Sequence, residues 1–267
     1  MGEESNYDKS NNQKNWLQGL DKIEDKSSQN YFSRLPQERA LLEHFSEAFV
    51  INKPKGRVGG DAFWLHSNQN DVYLALFTCI GDGHLANMMI RIYMGALKKM
   101  VDGHDIDFTG SILQFVHKEV MSKFKDKANI LLNTNANIGI VKLNTTTRAM
   151  EFAGANMNLI QVTGNKAKIV EGDEHQVGET GDKNLVYNSI DLTDTDESSF
   201  YLCSSGIFNL IGGKDYQRLK PERLSKLFRT NSGHLIDQQK VITEDFLTDW
   251  TGSNRQNDDI MVIGFKA

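Results

Sequence analysis

Three short stretches of the chain put carboxylates where a metal or a phosphoryl group could be handled: Gly59-Gly60-Asp61, Gly81-Asp82-Gly83 and Asp258-Asp259. Each sets one or two acids at the end of an apolar run, beside residues that tolerate tight turns. Hard divalent cations such as Mg²⁺ or Mn²⁺ take oxygen ligands gathered from distant parts of a chain, and converging strand ends can supply them. Gly-Asp and Asn-Asp pairs are also ordinary turn formers. Spacing alone leaves both readings open.

Other chemistries have less support. The seven histidines form no pair at metal-ligand spacing, and His84 and His117 read as surface or hydrogen-bonded residues. No serine sits in a G-x-S-x-G elbow. Cys79 and Cys203 both lie in apolar runs without a basic neighbourhood, so they read as reduced core residues rather than a nucleophile, a disulfide or a metal pair. Gly81-x-Gly83 and Gly212-Gly213 lack the residues that would complete a Walker or dinucleotide loop. Met88, Met89 and Met94 fall on a predicted helix and read as core filler.

The elements that must position the three acidic stretches can be read from hydrophobic periodicity. Residues 1–28 are polar apart from one weak amphipathic stretch at Trp16, Leu17, Leu20 and Ile23, which suggests a solvated leader or a short helix. Leu41, Leu42, Phe45 and Phe49 recur at helical spacing, predicting a helix over Glu38–Phe49. Strands are predicted at Asp61–Leu65 and Val72–Ile80, joined as a hairpin, followed by helices at Leu85–Val101 and Gly110–Lys125. Further strands are expected at Ala136–Leu143, Ala149–Ala153, Asn158–Thr163, Lys166–Val170, Leu185–Leu192, Ser199–Cys203 and Ile260–Phe265. Helices at Pro221–Arg229 and Ile236–Trp250 sit between the last two. Short turns between strands favour antiparallel pairing, and paired helices argue against a doubly wound parallel sheet. The expected architecture is a two-sheet sandwich with helices packed outside.

The 267 residues suffice for one large domain or two small ones. With 39% hydrophobic and 24% charged residues and only 3 prolines, disordered, collagen-like and disulfide-scaffold classes are excluded. A net charge of −5 argues against nucleic acid or an anionic membrane as the main partner. The apolar run Val72–Ile80 is too short to span a bilayer, and Met1–Lys14 is not a secretory signal. A cytoplasmic location is expected.

The order of motifs resembles the SpoIIE-like, PPM-type (type 2C) serine/threonine phosphatases of bacteria. The resemblance is carried by Phe49-Val-Ile-Asn-Lys-Pro-Lys-Gly-Arg-Val-Gly-Gly-Asp61-Ala-Phe-Trp64, by Gly81-Asp-Gly83 with the helix behind it, and by Glu151-Phe-Ala-Gly-Ala-Asn156. Phe200-Tyr-Leu-Cys-Ser-Ser-Gly206 and Asp258-Asp-Ile-Met-Val-Ile-Gly264 complete it, in unbroken order across residues 34–267. The resemblance implies an α+β fold, the α/β/β/α sandwich of two antiparallel sheets flanked by helices, over 34–267, with 1–33 as leader or linker. It further implies two or more Mn²⁺ or Mg²⁺ ions whose activated water attacks a phosphoserine or phosphothreonine, with small phosphorylated STAS-type regulators as substrates.

The sequence departs from the family pattern at two ligands. Gly59-Gly60-Asp61 is intact. Aligned without gaps, however, Thr78-Cys79-Ile80-Gly81-Asp82-Gly83 stands against an Asp-Cys-Thr-Gly-His-Gly-like run, so the carboxylate that should bridge the ions is Thr78. Ser205 replaces the acid of an Ser-Asp-Gly-like turn, while Asp258-Asp259 is kept and Met261 replaces a frequent Thr. A gapped alignment would make Asp82 a ligand and still leave Ser205 in place of an acid. A two-ion centre needs about four carboxylates to balance its charge. The expected metal set is therefore vestigial or weak: Asp61, Asp82, Asp258 and Asp259, with Thr78 and Ser205 as degenerate positions, no catalytic residue, and either no cofactor or weakly bound Mn or Mg. The reading favoured is a pseudophosphatase that binds a regulatory protein, a STAS-type or other phosphorylated regulator. The alternatives are a weak phosphatase with an altered metal site and a purely structural domain; a homodimer is left open.

Overall fold

The structure is a computed structural model that describes residues 35–79, 83–103, 108–124, 135–180 and 185–267. The expected leader, including the Trp16–Ile23 stretch, and Asp82 lie outside the described residues.

Twelve named strands and six α-helices can be followed in chain order among the described residues. Helix α1 (Glu38–Leu41) leads into strands β1 (Glu47–Lys53), β2 (Asp61–Ser67) and β3 (Asp71–Cys79). Helices α2 (Gly83–Gly103) and α3 (Thr109–Phe124) precede β4 (Ala136–Asn144), β5 (Met150–Ala155), β6 (Leu159–Thr163), β7 (Lys166–Val170) and β8 (Ile190–Leu192). Then come a 3₁₀ turn at Thr195–Glu197, β9 (Ser198–Cys203) and α4 (Ser205–Phe208). A small hairpin of β10 (Ile211–Gly212) and β11 (Gln217–Arg218) precedes α5 (Pro221–Thr230), α6 (Ile236–Thr251) and β12 (Ile260–Lys266).

The strands form two five-stranded antiparallel sheets, ordered β1-β12-β9-β6-β7 and β2-β3-β4-β5-β8. Three apolar layers hold the stack together. Phe63, Leu74, Leu76, Phe200, Leu202 and Phe265 fill the space between the sheets. Phe77, Ile138, Tyr93 and Val116 join α2 and α3 to the second sheet. Tyr201, Val262, Phe228 and Trp250 join α5 and α6 to the first. This is the expected helix–sheet–sheet–helix sandwich.

Side-chain-capped turns explain the hairpins. Asn68 Oδ1 accepts the backbone N–H groups of Asn70 (3.2 Å) and Asp71 (3.0 Å) between β2 and β3. Asn144 does the same for Thr146 (3.1 Å) and Thr147 (2.8 Å) between β4 and β5. Helix α3 is capped from elsewhere in the fold: Glu151 on β5 accepts from the Thr109 N–H, and Ser189 Oγ from that of Gly110. Pro221 opens α5 where its missing N–H costs nothing.

Two predicted elements need correction. The helix expected over Glu38–Phe49 is only one turn, Glu38–Leu41, and β1 follows it. Helical spacing was matched by chance there: Ala48 faces between the sheets while Phe49 and Ile51 face the outer helices, a two-residue alternation. Leu42, which the helical reading would bury, is 54% exposed. The strand expected over Leu185–Leu192 is regular only from Ile190. Before it, Leu185 and Tyr187 are buried by packing against the α2–α3 layer, without a strand partner. Met89 is buried as expected, whereas Met88 is 41% exposed.

Candidate functional site

The antiparallel register lines up polar residues at one end of the second sheet. Asp61 on β2 lies opposite Thr78 on β3, and Thr78 lies opposite Asn137 on β4. Directly opposed residues share a face. This face is the one that carries Phe63 and Leu76 into the space between the sheets. The row therefore replaces the apolar filling of the sandwich at its end, with Asp61 only 1% exposed.

The first sheet closes over that row with the end of β9 and the approach to β12. Ser204 and Met261 exchange backbone bonds there: the Ser204 N–H donates to the Met261 carbonyl (2.9 Å) and Ser204 Oγ accepts the Met261 N–H (2.9 Å). Gly206, in the first turn of α4, packs against the Asp259 carbonyl so closely that a Cβ would collide with it. Asp259 reaches back to the loop between β1 and β2. Its Oδ1 accepts the Lys55 N–H (2.7 Å) and its Oδ2 the Gly60 N–H (2.5 Å). Asp258 Oδ1 accepts the Asp259 N–H (2.9 Å) and its Oδ2 accepts from Asn209 Nδ2 (3.3 Å).

These elements set the ionisation of Asp61. Burial pushes its carboxyl up to about 7, and the negative charges of Asp259 and Asp258 push the same way. The Ser204 and Thr78 hydroxyls oppose them by stabilising the anion. The two cysteines beside the site stay free and buried. Cys79 packs in the α2–α3 layer and Cys203 in the α5–α6 layer, so they belong to opposite outer cores. Burial pushes the Cys203 thiol up to about 12 and raises that of Cys79 further, which leaves both as unreactive thiols.

The structure thus brings together four of the residues marked in the sequence, namely Asp61, Thr78, Asp258 and Asp259. Ser205 stands at the start of α4, next to Ser204. Among the described residues no group of three or more His, Cys, Asp or Glu side chains is arranged to hold a metal ion. The donor chemistry agrees. The Thr78 and Ser205 positions offer only neutral hydroxyls, which leaves Asp61, Asp258 and Asp259 as the acids of the cluster among the described residues. The described residues do not fit a two-ion centre.

Sequence reasoning missed Ser204, Asn137 and Asn209. Asn137 is the second residue of β4, Ser204 follows β9 and Asn209 follows α4, so each is a polar residue beside an element end that acquires meaning only from its partners in the fold. Asn137 also opens the site into a cavity of about 500 Å³. Asn156, Asn158, Ser205 and Asn209 line it, with Met157, Ile160 and Phe208 contributing apolar wall and Glu171, Asp173 and Glu174 acidic edge. Among the described residues that line it there is no Lys, Arg or His.

Solved structures share this architecture. The SiaA-PP2C domain of Pseudomonas aeruginosa superposes with a TM-score of 0.82 at 22% identity, over 94% of this chain and 97% of that one. The PP2C phosphatase domain of SpoIIE from Bacillus subtilis, with a fragment of its regulatory domain, matches with a TM-score of 0.65 at 14% identity, over 83% of this chain and 63% of that one. RsbX in complex with magnesium matches with a TM-score of 0.55 at 16% identity, over 82% and 94% of the two chains. No family model and no curated protein matches the sequence. The fold is that of the PP2C and SpoIIE-type serine phosphatase domains, as the motif order implied. No helix among the described residues is long and apolar enough to cross a membrane.

Proposed function

We propose that this domain is a pseudophosphatase: a PP2C-type fold that binds a regulatory protein and does not hydrolyse phosphate esters. The observation that carries the reading is the state of the acids. Two divalent ions bring four positive charges, and a cleft holding them needs compensating carboxylates. Here Thr78 and Ser205 are neutral, which leaves Asp61, Asp258 and Asp259 among the described residues, and the last two also accept N–H groups. The same bonds tie the loop between β1 and β2 to the start of β12, so the acids now serve as a structural clasp. A STAS-type or other phosphorylated regulator is the partner class that the family resemblance implies. Residues 34–267 are the functional domain in this reading, residues 1–33 a leader or linker, and the protein acts in the cytoplasm.

A calorimetric Mn²⁺ titration, with Asp61→Asn as control, tests it. The expected result is no binding in the micromolar range and no phosphate released from phosphoserine peptides. Micromolar uptake of two ions, lost in the control, overturns the reading. The double substitution Thr78→Asp with Ser205→Asp is expected to raise Mn²⁺ affinity at least tenfold, because it returns two charges to a frame that still holds Asp61, Asp258 and Asp259 together.

One observation favours a second reading, a weak phosphatase built around one ion. The charges of Asp258 and Asp259 are close enough to Asp61 to raise its pKa, so the negative charge that would draw one cation is still concentrated there. Stoichiometric uptake of one ion together with Mn²⁺-dependent turnover selects this reading.

A further inference from the structure

We infer that the outer face of the α5–α6 layer is a self-association surface, on which a second copy of this chain docks about a two-fold axis parallel to the two helices. The inference is independent of whether the acid cluster holds a metal or turns over substrate.

Helices α5 and α6 lie side by side and antiparallel. Residues 231–235 join them at one end. At the other, the Arg223 guanidinium on α5 sits 4.5 Å from the centre of the Trp250 ring on α6. Both helices bury one side against the first sheet, through Leu224 and Phe228 on α5 and Leu247 and Trp250 on α6. Their outward sides carry opposite charge. Arg223, Lys226 and Arg229 recur every three residues along the exposed side of α5, against one acid, Glu222. Asp237, Glu244, Asp245 and Asp249 follow the outward side of α6, whose one lysine, Lys240, turns away to Glu38 (2.6 Å).

Neighbouring stripes of opposite sign could pair with each other, and they do not. Among the described residues, none of Arg223, Lys226, Arg229, Glu244, Asp245 and Asp249 belongs to an ion pair. On other elements Lys98, Lys99, Lys142 and Lys266 each reach a carboxylate. The two stripes are therefore left for a partner.

The order of the stripes chooses that partner. A two-fold axis over the seam between α5 and α6 lays α5 of one copy on α6 of the other, and symmetry repeats the contact. Such an axis preserves position along the helices, so groups that stand level within one chain stand level across the interface. Arg223 and Asp249 line one cavity and are level. Arg223 then meets the partner's Asp249 and, one turn on, Lys226 meets the partner's Asp245, while α5 never faces α5. Val241, 55% exposed, lies one turn from both Asp237 and Asp245 and offers the arginine stems an apolar contact. A uniformly acidic partner would be repelled by α6 and a uniformly basic one by α5. Helices of 10 and 16 residues side by side cover roughly 400 Å² per copy, so the total of about 800 Å² makes a weak, charge-held dimer.

Sedimentation velocity of the full chain in EDTA tests this, over roughly 10 µM to 0.5 mM protein at about 0.05 and 0.5 M NaCl. A monomer–dimer equilibrium is expected at low salt, with a dissociation constant at least tenfold higher at high salt. Two charge reversals are made on exposed side chains: Lys226→Glu with Arg229→Glu, and Asp245→Lys with Asp249→Lys. Each pair alone is expected to leave only monomer, because both stripes then carry one sign. Mixing the two variants is expected to restore the dimer, since each offers the stripe that the other lacks. A monomer throughout the low-salt series overturns the inference. So does a dimer that survives both reversals, or a mixture that stays monomeric although both variants keep the native circular dichroism spectrum. None of these outcomes bears on Mn²⁺ uptake or phosphate release, so the non-catalytic reading stands or falls separately.

Discussion

With its carboxyl 1% exposed and Asp258 and Asp259 beside it, Asp61 holds its proton to about pH 7, against an ordinary value of 3.8. The unfolded chain loses that proton near its ordinary value, so between the two the native state binds more protons than the unfolded one. Stability must then fall as pH rises through this window and level off above it, by roughly 1.4 kcal/mol per pH unit at most. Thermal melts in EDTA are expected to show a lower Tm at pH 7.5 than at pH 5.5, and Asp61→Asn to flatten the difference. An unchanged slope in the variant would locate the titration elsewhere. At this scale Asp61, Asp258 and Asp259 were legible because Gly-Gly-Asp and Asp-Asp stand at strand ends. Asn137 and Ser204 were not, because an amide or hydroxyl gains its role from the residue across the strand, and one-dimensional spacing holds no register.

Strand β1 shows why an element can be misread while the fold is not. Leu41, Phe45 and Phe49 repeat every four residues, yet Phe49 belongs to a strand whose alternate side chains serve two different cores. What fixes β1 is its partner, β12, on which Gly264 lies opposite Phe49. The Phe49 ring occupies the space a Cβ on Gly264 would take. Gly264→Ala is therefore expected to destabilise the domain by about 1–3 kcal/mol in urea unfolding. Adding Phe49→Leu should recover part of that loss, since the two positions share one volume; strictly additive effects would show that they do not. The long amphipathic helices and the hairpins were readable from periodicity and turn residues. The one-turn α4 and the β10–β11 hairpin were not, being too short to carry a period.

For the whole molecule, charge and layering act together. A net charge of −5 is spread over the chain, but the cavity and the adjoining cluster gather acids, and no lysine or arginine is among the described residues of the cavity wall. The sandwich also dictates an order of assembly. In the second sheet, β2 and β3 form one hairpin and β4 and β5 another, so much of its pairing is local in sequence. The first sheet has β12 between β1 and β9, and the ion pair between Lys266 and Glu47 spans 219 residues. Until β12 inserts, β1 and β9 present open edges and the layer between the sheets has no lid. Closing so large a loop is slow in chain-entropy terms. Asp258 and Asp259 enter with that last strand. A growing or refolding chain can therefore hold a nearly finished second sheet while its site does not yet exist, and the site and the last step of folding arrive in one event.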